Sequence, residues 1–167
     1  MICQATVNDL VYGVDITSIQ HTKAYVCGFL FQHRVEGQAP WVALIKKKRP
    51  TWQRGKLNGI GGSIEVGETP MEAMVREFQE ETGAVVMSWR CYAMLRHGTA
   101  LVYMFMAMSP DVVIRSTTDE DVDFYSQSVC FTQMAISNLR WLVPLALSKN
   151  QEVAMIADDA PLPEPLQ

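Results

Sequence analysis

Apolar positions along the chain fall into short blocks separated by polar, glycine- or proline-bearing stretches, and their period changes from block to block. Ala24–Gln32 and Trp41–Lys46 are apolar runs rich in β-branched and aromatic residues, which predicts two strands. The polar stretch His33–Pro40 between them carries Gly37 and Pro40 and suits a hairpin loop. Leu57–Glu65 sets Leu57, Ile60 and Ile64 among glycines, which predicts a short strand, a tight turn and a second strand. Trp89–Arg96 and Ala100–Met108 predict a further pair, joined by a turn at His97-Gly98-Thr99. Ser116–Asp123 is acidic and polar, hence a loop, and Val122–Val129 suits another strand. The period lengthens at two places. Met71, Met74, Val75 and Phe78 share one face of a helix and are expected to be buried. The ends of that helix are written locally. Thr69 is a good N-cap, Pro70 fits the first helical position, Glu72 closes a capping box, and Gly83 suits a left-handed terminus. Asn138–Lys149 is a second, apolar helical stretch, in which Pro144 predicts a kink or a late start. Asp158–Gln167 holds three prolines and several acids and reads as a loose tail.

Length turns these elements into one domain: 167 residues suffice for a single real core. The expected division is one domain over 1–157 and a tail over 158–167. The net charge of −4 argues against a nucleic-acid polymer as partner, because backbone binding needs a basic footprint. It leaves room for a small anion held through metal. The four cysteines, Cys3, Cys27, Cys91 and Cys130, form no Cys-x-x-Cys pair, and the histidines do not cluster. Buried free thiols in a reducing compartment are expected rather than a zinc site. Met1–Leu10 lacks the basic and apolar regions of a signal peptide. The longest apolar run, Ala100–Met108, is too short to span a bilayer. The expectation is a cytoplasmic protein with no membrane partner, monomeric or homodimeric.

The chemistry concentrates between Gly62 and Gly83. Glu77, Glu80 and Glu81 stand at i, i+3 and i+4, so they share a helix face away from the apolar one. Unpaired carboxylates at that spacing raise one another's pKa and destabilise the helix. Mg²⁺, with Mn²⁺ as a substitute, relieves both effects, since hard cations take oxygen ligands and also bind phosphates. A glycine turn ahead of the helix lets backbone approach the same point. The set points to metal-assisted attack of water on a phosphoanhydride. The competing reading is a solvated helix face with Arg76 paired to Glu80.

What separates the two readings is the surrounding pattern. Gly62, Glu68, Arg76, Glu77, Phe78, Glu80, Glu81 and Gly83 hold the fixed positions of a stretch that resembles the Nudix box. Ala84 stands where that box closes on a larger aliphatic. The resemblance implies an α/β/α sandwich with a central mixed sheet and a catalytic loop-helix-loop. It implies metal ligation by Glu77, Glu80, Glu81 and the carbonyl of Gly61, with Glu80 or Glu81 as the base or its orienter. Arg76 is expected to hold the glutamates, Glu68 to support the loop–helix junction, and Gly62 and Gly83 to shape the box. Several family members add an acid from a later loop. In Thr118-Asp119-Glu120 the choice is Glu120, with Asp119 and Asp121 as competitors.

The box sets the reaction and leaves the substrate to its flanks. Leu57-Asn58-Gly59-Ile60-Gly61-Gly62 and Asn138–Leu145 are similar to flanks of oxidised-purine nucleoside triphosphatases. That likeness implies base contacts from Asn58, and Asn138 has the same hydrogen-bonding capacity. Trp141 and Trp52 are candidates to stack on a base, and Lys48 in the basic run Lys46–Arg49 to touch phosphates. The pattern departs at Ser63, where a lysine is common, at Leu57 in place of tryptophan, and in lacking paired acids before Trp141. The expected activity is hydrolysis of a nucleoside triphosphate to monophosphate and pyrophosphate. The alternatives are another nucleoside diphosphate derivative (a nucleotide sugar, ADP-ribose or a dinucleoside polyphosphate) and a non-catalytic nucleotide-binding module.

Overall fold

The computed structural model describes residues 23–34, 36–97, 100–148 and 154–158. In chain order the elements are β1 (Lys23–Gln32), β2 (Trp41–Lys46), β3 (Leu57–Asn58), α1 (Pro70–Thr82), β4 (Arg90–His97), β5 (Ala100–Met108), β6 (Asp121–Tyr125), α2 (Leu139–Ala146) and β7 (Ala154–Asp158). The strands form one sheet in the order β3-β2-β1-β5-β4-β7, with β6 also paired to β2. β1 runs parallel to β5 and β4 to β7, while the other pairings are antiparallel. The sheet is therefore mixed, as expected.

Alternation along the central strands decides where the helices sit. Val26 and Leu30 of β1, with Ala43 and Ile45 of β2, pack into a cluster that contains Ala73, Met74 and Phe78 of α1. Phe29, Phe31, Val42 and Leu44 belong to the opposite cluster, with Leu139, Leu142, Val143 and Ala146 of α2. Neighbouring residues on one strand thus serve different helices, and the result is an α/β/α sandwich. Gly28 lets α1 pack close against β1. A Cβ there would lie 2.7 Å from the Met74 sulfur and 3.0 Å from the Trp89 ring.

One departure from a regular sheet makes room for the site. β1 pairs with β2 only at Phe31 and Gln32. β3 pairs with the other end of β2, at Ile45 and Lys46. β6 spans Val42 to Lys46, so β1 and β3 share the opposite edge of β2. β1 diverges from β2, and the segment after β3 fills the gap. It touches β1 through isolated bridges, Gly28 with Ile60 and Tyr25 with Ser63. The second strand expected within Leu57–Glu65 is accordingly not a strand, because the glycines allow only single contacts with a neighbour that is curving away.

Other expectations shift for equally local reasons. The strand expected at Val122–Val129 runs from Asp121 to Tyr125, with Val122 and Phe124 buried and Asp121 and Asp123 exposed. A 3-10 turn over Gln127–Phe131 follows it. The loop expected over Ser116–Asp123 therefore gives way to strand at Asp121. Met71, expected in the core, is 40% exposed, since it lies in the first turn of α1. Pro144 sits inside α2, which begins at Leu139, so no late start occurs. Pro144 and Arg140, whose carbonyl loses its helical donor, are both exposed. β7 was not expected from the sequence. The expected turn residues Gly98 and Thr99, the N-terminal segment with Cys3, and the tail beyond Asp158 lie outside the described residues.

Candidate active site

Local sequence places α1 and its face. The Thr69 hydroxyl accepts from the Glu72 N–H at 3.2 Å, and the Glu72 carboxylate accepts from the Thr69 N–H at 2.8 Å. At the other end Gly83 takes φ +69 and donates to the Gln79 carbonyl at 2.8 Å. These two stops fix the rotation at which Glu77, Glu80 and Glu81 emerge.

The glycine turn then presses on that face. A Cβ at Gly62 would lie 2.5 Å from the Glu77 carboxyl carbon, and one at Gly61 would collide with the Val26 carbonyl. Only glycines let this backbone pass between β1 and a carboxylate. Arg76 ties turn to helix. Its guanidinium donates to Glu68 twice, at 2.8 and 2.9 Å, to Glu77 at 2.9 Å, to Glu80 at 3.2 Å and to the Ser63 carbonyl at 3.0 Å. Glu68 in turn accepts the Glu65 N–H at 3.0 Å. The competing sequence reading, Arg76 paired to Glu80, is thus one contact within a larger set.

Charge does not balance here. One guanidinium faces the carboxylates of Glu68, Glu77 and Glu80, and Glu81 adds a fourth. Arg76 holds Glu68 below the usual carboxylate range. Burial pushes the Glu77 carboxyl above it. The Arg76 contacts oppose that shift, and the negative Glu80 and Glu81 add to it. As arranged, no three acidic, histidine or cysteine side chains among the described residues converge on one point. Arg76 lies between Glu77 and Glu80, while Glu81 turns to Thr118 at 2.6 Å. The donor set nevertheless fits a hard divalent cation. It is all oxygen, carries excess negative charge, and abuts a backbone that only glycine permits. Glu80 is 57% exposed, so its side chain can turn from Arg76 to a cation.

Glu120 stands one step away. It is 3% exposed and accepts from the Lys47 ammonium and from the backbone N–H groups of Lys48 and Arg49. Burial alone would raise its pKa, but Lys47 and the two backbone donors outweigh that, and the net shift is downward. Asp119 pairs with Arg49 at 2.9 Å and more loosely with Lys48 at 3.9 Å. Asp121 opens β6, opposite Lys46.

The proposed substrate contacts divide. Asn58 is engaged internally: its amide donates to Gln53 at 3.0 Å and its carbonyl accepts the Gly59 N–H at 2.7 Å. Asn138 differs. Its Oδ1 is buried without a hydrogen-bond partner, and the residue lies in the wall of a cavity of about 660 Å³. Trp52 and Phe131 flank that cavity, with Lys56 and Arg140 also in its lining. Trp141 is 39% exposed and does not line it. Phe131 and Thr118 escaped the sequence reading. Neither belongs to a periodic pattern, and Thr118 meets Glu81, as Phe131 meets Trp52 across the cavity, only between distant segments.

Residues 22–151 match the family model of the NUDIX domain. Among solved structures, the fold is similar to the NUDIX domain of Shewanella oneidensis NrtR complexed with ADP ribose. That match has TM-score 0.65 and 16% identity over 85% of this chain and 97% of that one. The mutator MutT protein of Bacillus halodurans gives TM-score 0.60 and 18% identity, over 81% and 89% of the two chains. A MutT/nudix family protein of Enterococcus faecalis gives TM-score 0.58 and 19% identity over 64% of this chain. The match spans 44% of that protein's length.

Proposed function

This chain belongs to the NUDIX domain family, and on that premise we propose that it is a divalent-metal-dependent hydrolase of nucleoside triphosphates. The observation that carries the reading is the face of α1. Glu77 stands against the Gly61–Gly62 turn, with Glu80 and Glu81 on the next helical turn and Arg76 bound to Glu77 and Glu80. Glu77, Glu80, Glu81 and the Gly61 carbonyl would hold Mg²⁺ or Mn²⁺, with Glu120 as the acid nearest them from the later loop. The metal, when bound, would neutralise phosphate charge and lower the pKa of water. Arg76 keeps the carboxylates apart and presented. Glu80 or Glu81 takes a proton from the attacking water. The water oxygen bonds to phosphorus, the bridging phosphorus–oxygen bond breaks, and monophosphate and pyrophosphate leave.

The cavity lined by Trp52, Phe131 and Asn138 suits the nucleoside ring, and Lys48 the phosphates. Leu57 is bridged to Ala135 in the cavity wall. Gly62 is five positions beyond Leu57, a reach of at most about 18 Å. A base in the cavity and phosphates at the turn are therefore compatible with one nucleotide. A planar base stacks on an aromatic ring, and the Asn138 amide, once turned toward the cavity, can pair with a base edge.

The test is turnover across nucleoside triphosphates, nucleotide sugars and ADP-ribose with Mg²⁺ or Mn²⁺. Glu80→Gln and Glu81→Gln should each lower kcat at least about 100-fold with the fold intact. Full activity in both variants removes the reading. Products distinguish it from the second reading, a nucleoside diphosphate derivative such as ADP-ribose, which the ligand named for the Shewanella domain favours. Pyrophosphate marks the first and two phosphomonoesters the second. Nucleotide binding without any metal-dependent turnover marks a binding module.

A further inference from the structure

The hydroxyl of Thr118 lies between the two acidic elements of the site. It donates to Glu81 Oε2 at 2.6 Å and accepts the N–H of Glu120 at 3.3 Å. The residues before it are fastened to the last turn of α1. Arg115 N–H donates to the Thr82 carbonyl at 3.1 Å, Thr117 N–H to the Glu81 carbonyl at 3.3 Å, and the Thr117 hydroxyl to the Glu80 carbonyl. Beyond it, Glu120 and Asp119 grip the Lys47–Arg49 run. Thr118 is thus at the centre of a strap that sets the helix carboxylates against the basic loop.

Its partner, Glu81, is the member of the set Glu77, Glu80 and Glu81 that does not accept from Arg76. Arg76 donates to Glu77 and Glu80, and a guanidinium both orients a carboxylate and cancels its charge. A hydroxyl orients without cancelling. A carboxylate has about four lone-pair sites, so one hydrogen bond to Oε2 fixes the group and leaves Oε1 for a proton or a cation. The backbone contacts of Arg115 and Thr117 hold the hydroxyl in place independently of the Glu81 side chain.

We propose that Thr118 is a positioning residue for Glu81, holding that carboxylate aimed for the hydrolysis assigned above, on which this inference rests. Partners of metal ligands at one remove typically change affinity or activity by about 10–100-fold when removed.

The experiment uses the full chain, with Mn²⁺ binding followed by electron paramagnetic resonance alongside steady-state kinetics. Thr118→Ala should weaken Mn²⁺ binding and lower kcat, each by about 10-fold or more. KM for the nucleotide should stay within about twofold, since Thr118 is not placed on the substrate. Thr118→Ser, which keeps the hydroxyl, should restore both. Urea unfolding should give nearly the same midpoint for Thr118→Ser and the unsubstituted chain. In the Glu81→Gln background, Thr118→Ala should cost little more, because the two act as one unit. Unchanged Mn²⁺ affinity and kcat in Thr118→Ala, a full additional loss in the double variant, or no rescue by serine would overturn the proposal. If the unsubstituted chain neither binds Mn²⁺ nor turns over, the hydrolase reading fails and this inference falls with it. Mn²⁺ binding and turnover that are indifferent to Thr118 overturn this inference alone.

Discussion

Arg76 shows how much one side chain can organise. It reaches three carboxylates and a backbone carbonyl that are separate in sequence. Lysine has one point charge and cannot span them. Arg76→Lys should destabilise the chain by about 1–3 kcal/mol, read from urea unfolding, and also reduce kcat. The glycines act by what they omit. Gly61→Ala should cost about 1–3 kcal/mol, because its methyl meets the Val26 carbonyl, which β1 holds in place. That Glu77, Glu80 and Glu81 share one helix face was legible from their spacing, while reading them as a metal-binding set needed the surrounding pattern. The engagement of Asn58 with Gln53 was not, because either partner of an amide looks equally available in a linear chain.

At the scale of elements, α1 is specified by local chemistry and packed by distant chemistry. Its capping box and its left-handed stop are both sequence-adjacent, so its limits, Pro70–Thr82, follow from the residues at its ends. Thr69→Ala should lose about 1 kcal/mol of stability. The effect has a defined pH dependence. Hydrogen bonds from Thr69, the backbone N–H first, hold the Glu72 carboxyl below its ordinary value. A carboxyl depressed in the folded state stabilises above its unfolded pKa and loses that contribution as pH falls through the lower, folded value. The gap between Thr69→Ala and the unsubstituted chain should therefore shrink from about pH 7 to about pH 3, as urea midpoints will show. β6 and β7 were harder to place. β6 was expected as a strand, but its limits depend on its pairing with β2, and β7 is an edge strand whose partner, β4, lies more than 50 residues earlier.

At the scale of the molecule, the two faces of the sheet are filled by different helices, and the site forms where β1 leaves β2. Phe78 is fully buried and stacks edge-on against Trp89 at 5.1 Å between ring centres. Phe78→Ala should cost about 3–5 kcal/mol, whereas Val85→Ala, at a residue 55% exposed, should fall within about 0.5 kcal/mol. A cation that binds only the folded chain must stabilise it. Mg²⁺ at about 100 times its dissociation constant should add about 2.7 kcal/mol, seen as a higher melting temperature that EDTA reverses. A melting temperature indifferent to Mg²⁺, Mn²⁺ and EDTA alike would count against a metal at α1. Among the described residues no helix is long and apolar enough to cross a membrane, in line with the short apolar runs of the sequence. By itself the sequence determined the mixed α/β elements, the limits of α1 and the carboxylate face, because each depends on residues within a few positions of one another. Tertiary structure alone decided how Glu81, Thr118 and Glu120 meet, which of Asn58 and Asn138 keeps an unsatisfied acceptor, and how Trp52 and Phe131 come to flank one cavity. The relations of Glu81 with Thr118 and of Trp52 with Phe131 join segments tens of residues apart, which no local pattern of the sequence specifies.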